Sequence, residues 1–137
     1  MKESNILLID ISARIPYGLK CNCGRNTYDI LGVYYTLNDE MEWEYMVSLN
    51  GFAKPVSITS IKPYLRSMSS MTEEEKKEYY TFQYKFTLQT HEYQELNKET
   101  FSEYLDWLNK NMFDYRGLIN GGLVLEAPEG MYNLKDE

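Results

Sequence analysis

Apolar and polar residues alternate most regularly between Met41 and Leu49. Met41, Trp43, Tyr45, Val47 and Leu49 are interleaved with Glu42, Glu44, Met46 and Ser48. A period of two puts the first set on one buried face and the second on a mostly wet one. Turn signals at Cys23-Gly24-Arg25-Asn26, Asn38-Asp39-Glu40 and Asn50-Gly51 divide the span from Tyr17 to Ser60 into four strand-like runs. Asn50-Gly51 predicts a type I′ hairpin turn, in which both central positions need positive φ. After it, Phe52, Val56 and Ile58 continue an inner face, and Pro55 points to an edge or a bulge. Gly32 interrupts the run from Thr27 to Leu37, where a bulge would let a strand bend. Four short antiparallel strands with tight turns predict a strongly bent sheet, and a small SH3-like half-barrel matches them best.

The flanking segments carry helix signals. Ser4 to Arg14 is nearly continuous apolar sequence broken by Asp10 and Ser12. We read it as a short helix ended by Ile15-Pro16, because the residue before proline avoids the helical region. A buried strand is the alternative that so short a run leaves open. Lys62-Pro63-Tyr64-Leu65 reads as a tight turn leaving the sheet. Thr72-Glu73-Glu74-Glu75 is a capping box, with acid in the first turn suited to the helix dipole. The helix should run from Glu73 to Tyr80 or Phe82. It would then give way to a strand, since Phe82, Tyr84, Phe86 and Leu88 alternate with Gln83, Lys85 and Thr87. His91 to Lys98 is polar and reads as a loop. A second capping box at Thr100-Phe101-Ser102-Glu103 opens a helix with Phe101, Tyr104, Leu105 and Leu108 on one face, widened by Trp107 and ending near Asn111. Asp114 can cap one more short turn, Tyr115 to Asn120, closed by Gly121-Gly122. Leu123 to Leu125 form an extended tail. The expectation is α+β: one domain over 1–137, with the antiparallel sheet in 17–60 and a mainly helical part in 72–137, so that C-terminal helices cover the sheet.

A chain of 137 residues fits one domain that needs neither disulfides nor a metal to hold its core. Net charge is −7, with 14 basic residues scattered among 21 acidic ones, and the longest basic run is Lys76-Lys77. Phosphate-backbone binding needs clustered Lys and Arg, so nucleic acid is disfavoured as a partner. Ile6-Leu7-Leu8-Ile9 is far too short to span a bilayer. With two cysteines and no export signal, the expected compartment is the cytoplasm.

Candidate chemistry is sparse. His91 is the only histidine; catalytic dyads and most zinc sites use histidine, and a single one beside Glu92 reads as a solvated surface residue. Cys21 and Cys23 share a strand face but make only half a zinc site. Four thiolates across a dimer axis would complete it, yet buried structural cysteines are the simpler reading. Carboxylate pairs such as Glu42 with Glu44, or Glu103 with Asp106, read as solvated faces. Gly121-Gly122 lacks the lysine of a phosphate loop and reads as a helix cap. No cofactor, metal or catalytic residue is expected. The one oddity is that 13 of the 20 aromatic residues are tyrosines, which join a rigid apolar ring to a polar tip and are enriched at interfaces. Tyr28, Tyr34 and Tyr35 would either line a groove or fill a thin core. Tyr34, Trp43, Tyr64 and Arg66 are the candidate binding residues.

Three segments taken together resemble a known family. They are Ser12 to Lys20, Ile61 to Glu74, and a C-terminal set in which Asp106-Trp107-Leu108-Asn109 is followed by Phe113 to Ile119 and Leu125 to Tyr132. They resemble an uncharacterised family of small proteins from gut Bacteroidales and their prophages and phages. The resemblance covers nearly the whole chain. It implies a phage or mobile-element context and a cytoplasmic product, and brings no catalytic residue with it. The function expected is a non-enzymatic protein-interaction module, an accessory protein in that context. The alternatives are a nucleic-acid-associated small β-barrel protein, or an enzyme with an unrecognised carboxylate site.

Overall fold

Leu7, Asp10, Ile11 and Arg14 stand at i, i+3, i+4 and i+7, which is one face of a helix. In the computed structural model that whole face is buried. Residues 3–91 and 98–132 are described. Helix α1 spans Glu3–Arg14. It stops where the sequence places Pro16, in a tight helical turn over Ile15–Tyr17 closed by Gly18 at φ 85°.

Among the described residues six strands follow: β1 (Lys20–Cys23), β2 (Asn26–Leu37), β3 (Trp43–Leu49), β4 (Val56–Ser57), β5 (Lys62–Leu65) and, after two helices, β6 (Leu125–Glu126). They form one open, bent sheet in the order β4-β3-β2-β1-β5-β6. Neighbours are antiparallel except β5 and β6, which run parallel. The register of β2 on β3 slips between Ile30 and Gly32, so a bulge bends the sheet where the glycine predicts it. The α+β class and the bent antiparallel sheet are therefore as expected, but the sheet is larger than the 17–60 span. From α1, Leu7 and Ile11 pack into a core with Leu19, Cys21, Ile30, Val47, Leu49, Ile58 and Leu65. Helix α3 (Lys98–Lys110) packs against α1, so the cover over the sheet draws on both ends of the chain.

Several local expectations are corrected. At Asn50-Gly51 only Gly51 has positive φ, 95°. The Phe52 amide donates to the Leu49 carbonyl at 3.1 Å, so the turn has the type II pattern rather than I′. Lys62 to Leu65 is no turn. It is β5, with Pro63 buried opposite Cys21. One step further in that register, Lys20 faces Tyr64. There the Tyr132 hydroxyl accepts the Lys20 amide at 2.9 Å and donates to the Tyr64 carbonyl at 2.7 Å. A side chain thus completes the ladder next to a residue that cannot donate.

The Thr72–Glu75 capping box forms in full. The Glu75 amide donates to the Thr72 hydroxyl at 3.2 Å and the Thr72 amide to the Glu75 carboxylate at 2.9 Å. Helix α2 then runs unbroken over Glu73–His91. The strand expected over Phe82 to Leu88 does not exist. Aromatics at every second position also satisfy i, i+4, and Phe82 and Phe86 both pack on Tyr104 of α3 at 5.3 and 5.2 Å between centroids. That contact, invisible in the local sequence, decides for the helix. Thr100 lies inside α3 and does not cap it. Of the loop expected over His91 to Lys98, the two end residues belong to helices α2 and α3, and 92–97 lie outside the described residues. Tyr115 to Asn120 makes turns, as expected. Asp114 does cap them, accepting the Leu118 and Ile119 amides at 2.9 and 2.8 Å. Gly122, φ 77°, closes them with the Leu123 amide on the Leu118 carbonyl.

Replacing Thr72 with Ala should remove about 1 kcal/mol of stability, the usual effect of losing such a cap. Urea unfolding midpoints would measure it; an unchanged midpoint would show that α2 starts without help from this side chain.

Candidate functional site

The β2–β3 hairpin extends past the core. Its pairing sets Val33 against Val47, Tyr35 against Tyr45 and Leu37 against Trp43, and directly opposed residues share a face. At the inner end of that face Val47 and Leu49 are fully buried. At the outer end Tyr35 is 57% exposed and Trp43 61%. The two outer rings are stacked, with centroids 5.4 Å apart and planes 19° apart, and Tyr45 lies 4.9 Å from Tyr35. Leu37 and Met41 are exposed beside them. The same alternation that builds the core therefore leaves an aromatic surface where the sheet outruns its covering helices.

The connecting turn is firmly held. The Asn38 side-chain oxygen accepts the Glu40 and Glu42 amides at 2.9 and 3.0 Å. Its side-chain nitrogen donates to Glu44 at 2.8 Å. The Ser57 hydroxyl also donates to Glu44, and these two bonds, Ser57 first, hold the Glu44 carboxyl below the usual range. Met41 sits in the left-handed region at φ 62°. The rings thus lie on strands joined by a pinned turn.

A second surface is a cleft of about 650 Å³ between the start of α2 and the chain after β6. Glu74, Glu75, Glu78, Glu126 and Glu129 line it, with Arg66 among them. That arginine is occupied. Its guanidinium grips both Glu75 oxygens at 2.7 Å, reaches the Ser70 carbonyl at 3.2 Å and lies 4.4 Å over the Phe113 ring. Burial alone would raise the Glu75 carboxyl, but the Arg66 guanidinium and the Thr72 hydrogen bonds outweigh it and hold the carboxyl below its ordinary value. Glu75 is therefore an ionised strut rather than a proton donor at neutral pH, and the cleft as a whole repels anions.

The four candidate residues do not meet. Tyr34 and Trp43 lie on opposite faces of the hairpin, since Tyr34 opposes Met46 and Trp43 opposes Leu37. Tyr64 is half-buried on β5, and Arg66 sits in the cleft. Nor do Tyr28, Tyr34 and Tyr35 form a groove. Tyr28 packs edge-on against Phe52 at 4.7 Å and joins the core, while consecutive Tyr34 and Tyr35 point to opposite sides. The surface Tyr35 and Leu37 build with Trp43 was missed, although their spacing of two from Val33 was there to find it.

Cys21 is fully buried and Cys23 half-buried, both as free thiols. Burial first, then Cys23 and Asp29, push the Cys21 thiol up to about 12. A thiol so placed stays protonated at neutral pH. No group of three or more potential ligands is arranged for a metal among the described residues. His91 closes α2, and its side chain is outside the described residues. Because the folded pKa of Cys21 is raised, the stability it contributes is fully present below the unfolded value of about 8.5 and lost as pH rises towards 12. Accordingly, alkylation of the folded protein at pH 8 should mark Cys23 well before Cys21 in peptide maps. Equal labelling of the two would contradict the burial.

No protein-family model, curated protein or solved structure matches this chain. No described helix is long and apolar enough to cross a membrane.

Proposed function

We propose that the protein is a non-enzymatic interaction module that binds another protein through the outer end of the β2–β3 hairpin. One observation carries the reading: a stacked, exposed Tyr35–Trp43 pair on the very sheet face that forms the core further in. Rigid aromatics presented on a braced turn lose little entropy on docking, and tyrosine and tryptophan dominate binding energy at protein interfaces. An accessory role in a phage or mobile element follows from the family resemblance. The cytoplasm is the proposed compartment, in keeping with two free thiols. Nucleic acid is the weaker alternative: bases could stack on the rings, but the turn between the strands carries Asp39, Glu40 and Glu42 and would repel phosphates.

The test compares wild type with the Tyr35→Ala, Trp43→Ala double variant in affinity capture from native host lysate. Both side chains are exposed, so the variant should fold. A reproducible partner should be retained by wild type and lost by the variant. Equal retention by both, or no reproducible partner at all, would overturn the proposal.

A further inference from the structure

The chain has no Lys or Arg between Arg25 and Lys54, whereas Asp39, Glu40 and Glu42 crowd the turn beside the exposed rings. All three are exposed. An aromatic face bordered by carboxylates is complementary to one side-chain chemistry above others: the guanidinium of arginine or the ammonium of lysine. Such a cation takes attraction from the ring quadrupole and from the carboxylates together. The edge of the sheet points to the form of the partner. Strand β4 pairs β3 only at Met46 and Val47, so no described strand covers the outer edge at Trp43, Glu44 and Tyr45. An extended segment laid along that edge would bring alternate side chains over the rings.

We infer that the hairpin docks an extended, arginine- or lysine-bearing segment of a partner protein. The inference rests on the interaction reading above and narrows it to one ligand class. A second copy of this chain does not fit the surface, because it would bring the same acidic turn and a net charge of −7 against its own kind. The cleft near Arg66 is a poorer seat for the same ligand, since it offers carboxylates without an exposed aromatic face.

The experiment titrates a blocked heptapeptide of alternating glycine and arginine into the 15N-labelled full chain at low ionic strength. Parallel titrations use peptides with glutamate or leucine in place of arginine, and an oligothymidylate. The expected result is that only the arginine peptide shifts the Trp43 indole and the Trp43–Tyr45 amides. Affinity should fall about tenfold in Trp43→Ala and about as much in the Asp39→Asn, Glu40→Gln, Glu42→Gln triple variant, each tenfold corresponding to about 1.4 kcal/mol. It should also weaken as salt is raised. If the leucine peptide shifts these signals and the arginine peptide does not, the cationic ligand is wrong but the docking face stands. Shifts with oligothymidylate, or signals that move with protein concentration alone, would replace the inference by nucleic-acid binding or self-association. If no ligand moves the hairpin, or the arginine peptide moves only the cleft, both this inference and the docking site fall.

Discussion

Replacing Asp10 with Ala should remove about 3–5 kcal/mol of stability, a large part of what a domain of this size has. Asp10 and Arg14 are both fully buried, and the guanidinium holds the carboxylate through Nε at 3.0 Å and Nη2 at 3.1 Å. Arg116 approaches the same carboxylate at 3.3 Å from a more exposed position. Without Asp10, Arg14 and Arg116 lose the carboxylate they share, and Arg14 keeps only its hydrogen bond to the Phe113 carbonyl at 2.7 Å and the Tyr115 ring 5.2 Å away. The intact pair is still no strong stabiliser. Its desolvation is costly, and Arg14 Nη1 is buried with no hydrogen-bond partner. The Asp10→Leu, Arg14→Met double variant should therefore lie closer to wild type than Asp10→Ala alone, since apolar replacement of a buried pair is often neutral. Urea unfolding of the three proteins decides the matter. A loss below about 1 kcal/mol in Asp10→Ala would mean that the cavity admits water to screen Arg14.

Phe113→Ala comes next, with an expected loss of about 3–5 kcal/mol. The ring is fully buried, 5.5 Å from Trp107 and under the Arg66 guanidinium. Its backbone joins three parts of the molecule. The amide donates to the Leu108 carbonyl, the carbonyl accepts from Arg14, and the residue bridges to Arg66 beside β5. Truncation leaves a cavity between Trp107 and an arginine that has lost its ring contact. Phe113→Leu should recover much of the loss by refilling volume, though not the attraction between cation and ring. Thermal melts followed by near-ultraviolet dichroism would resolve the two, and a Phe113→Ala midpoint within a few degrees of wild type would refute the assignment.

The parts legible in the sequence were those governed by neighbours in the chain. The bulge at Gly32, the capping box at Thr72 and the stop of α1 at Ile15-Pro16 each depend on local stereochemistry, and each is present. Errors arose where distant contacts decide. Alternating rings in 82–88 fit a strand or a helix equally until Tyr104 of α3 is in place. Lys62 to Leu65 reads as a turn around Pro63 until β1 is in place to pair with it. Along the sequence Asp10 stands as a break in an apolar run. Its spacing with Leu7, Ile11 and Arg14 already put it on the buried stripe, and an i, i+4 opposite charge could have signalled the pair. The candidate site was half legible: Trp43 was singled out, but pairing it with Tyr34 rather than Tyr35 ignored the alternation that built the rest of the sheet.

The long reach of the Arg14 hydrogen bond bears on how the chain becomes native during synthesis. Arg14 waits for a carbonyl 99 residues downstream, and the Lys20 amide for a hydroxyl 112 residues downstream. A nascent chain can close the β1–β2–β3 meander early, because those contacts are local. Helix α1 can pair Arg14 with Asp10 at once, but it cannot complete the hydrogen bonds of Arg14 until Phe113 has left the ribosome tunnel. Completion therefore waits on segments far downstream, and nascent chains stalled before Phe113 emerges are the ones most exposed to proteolysis.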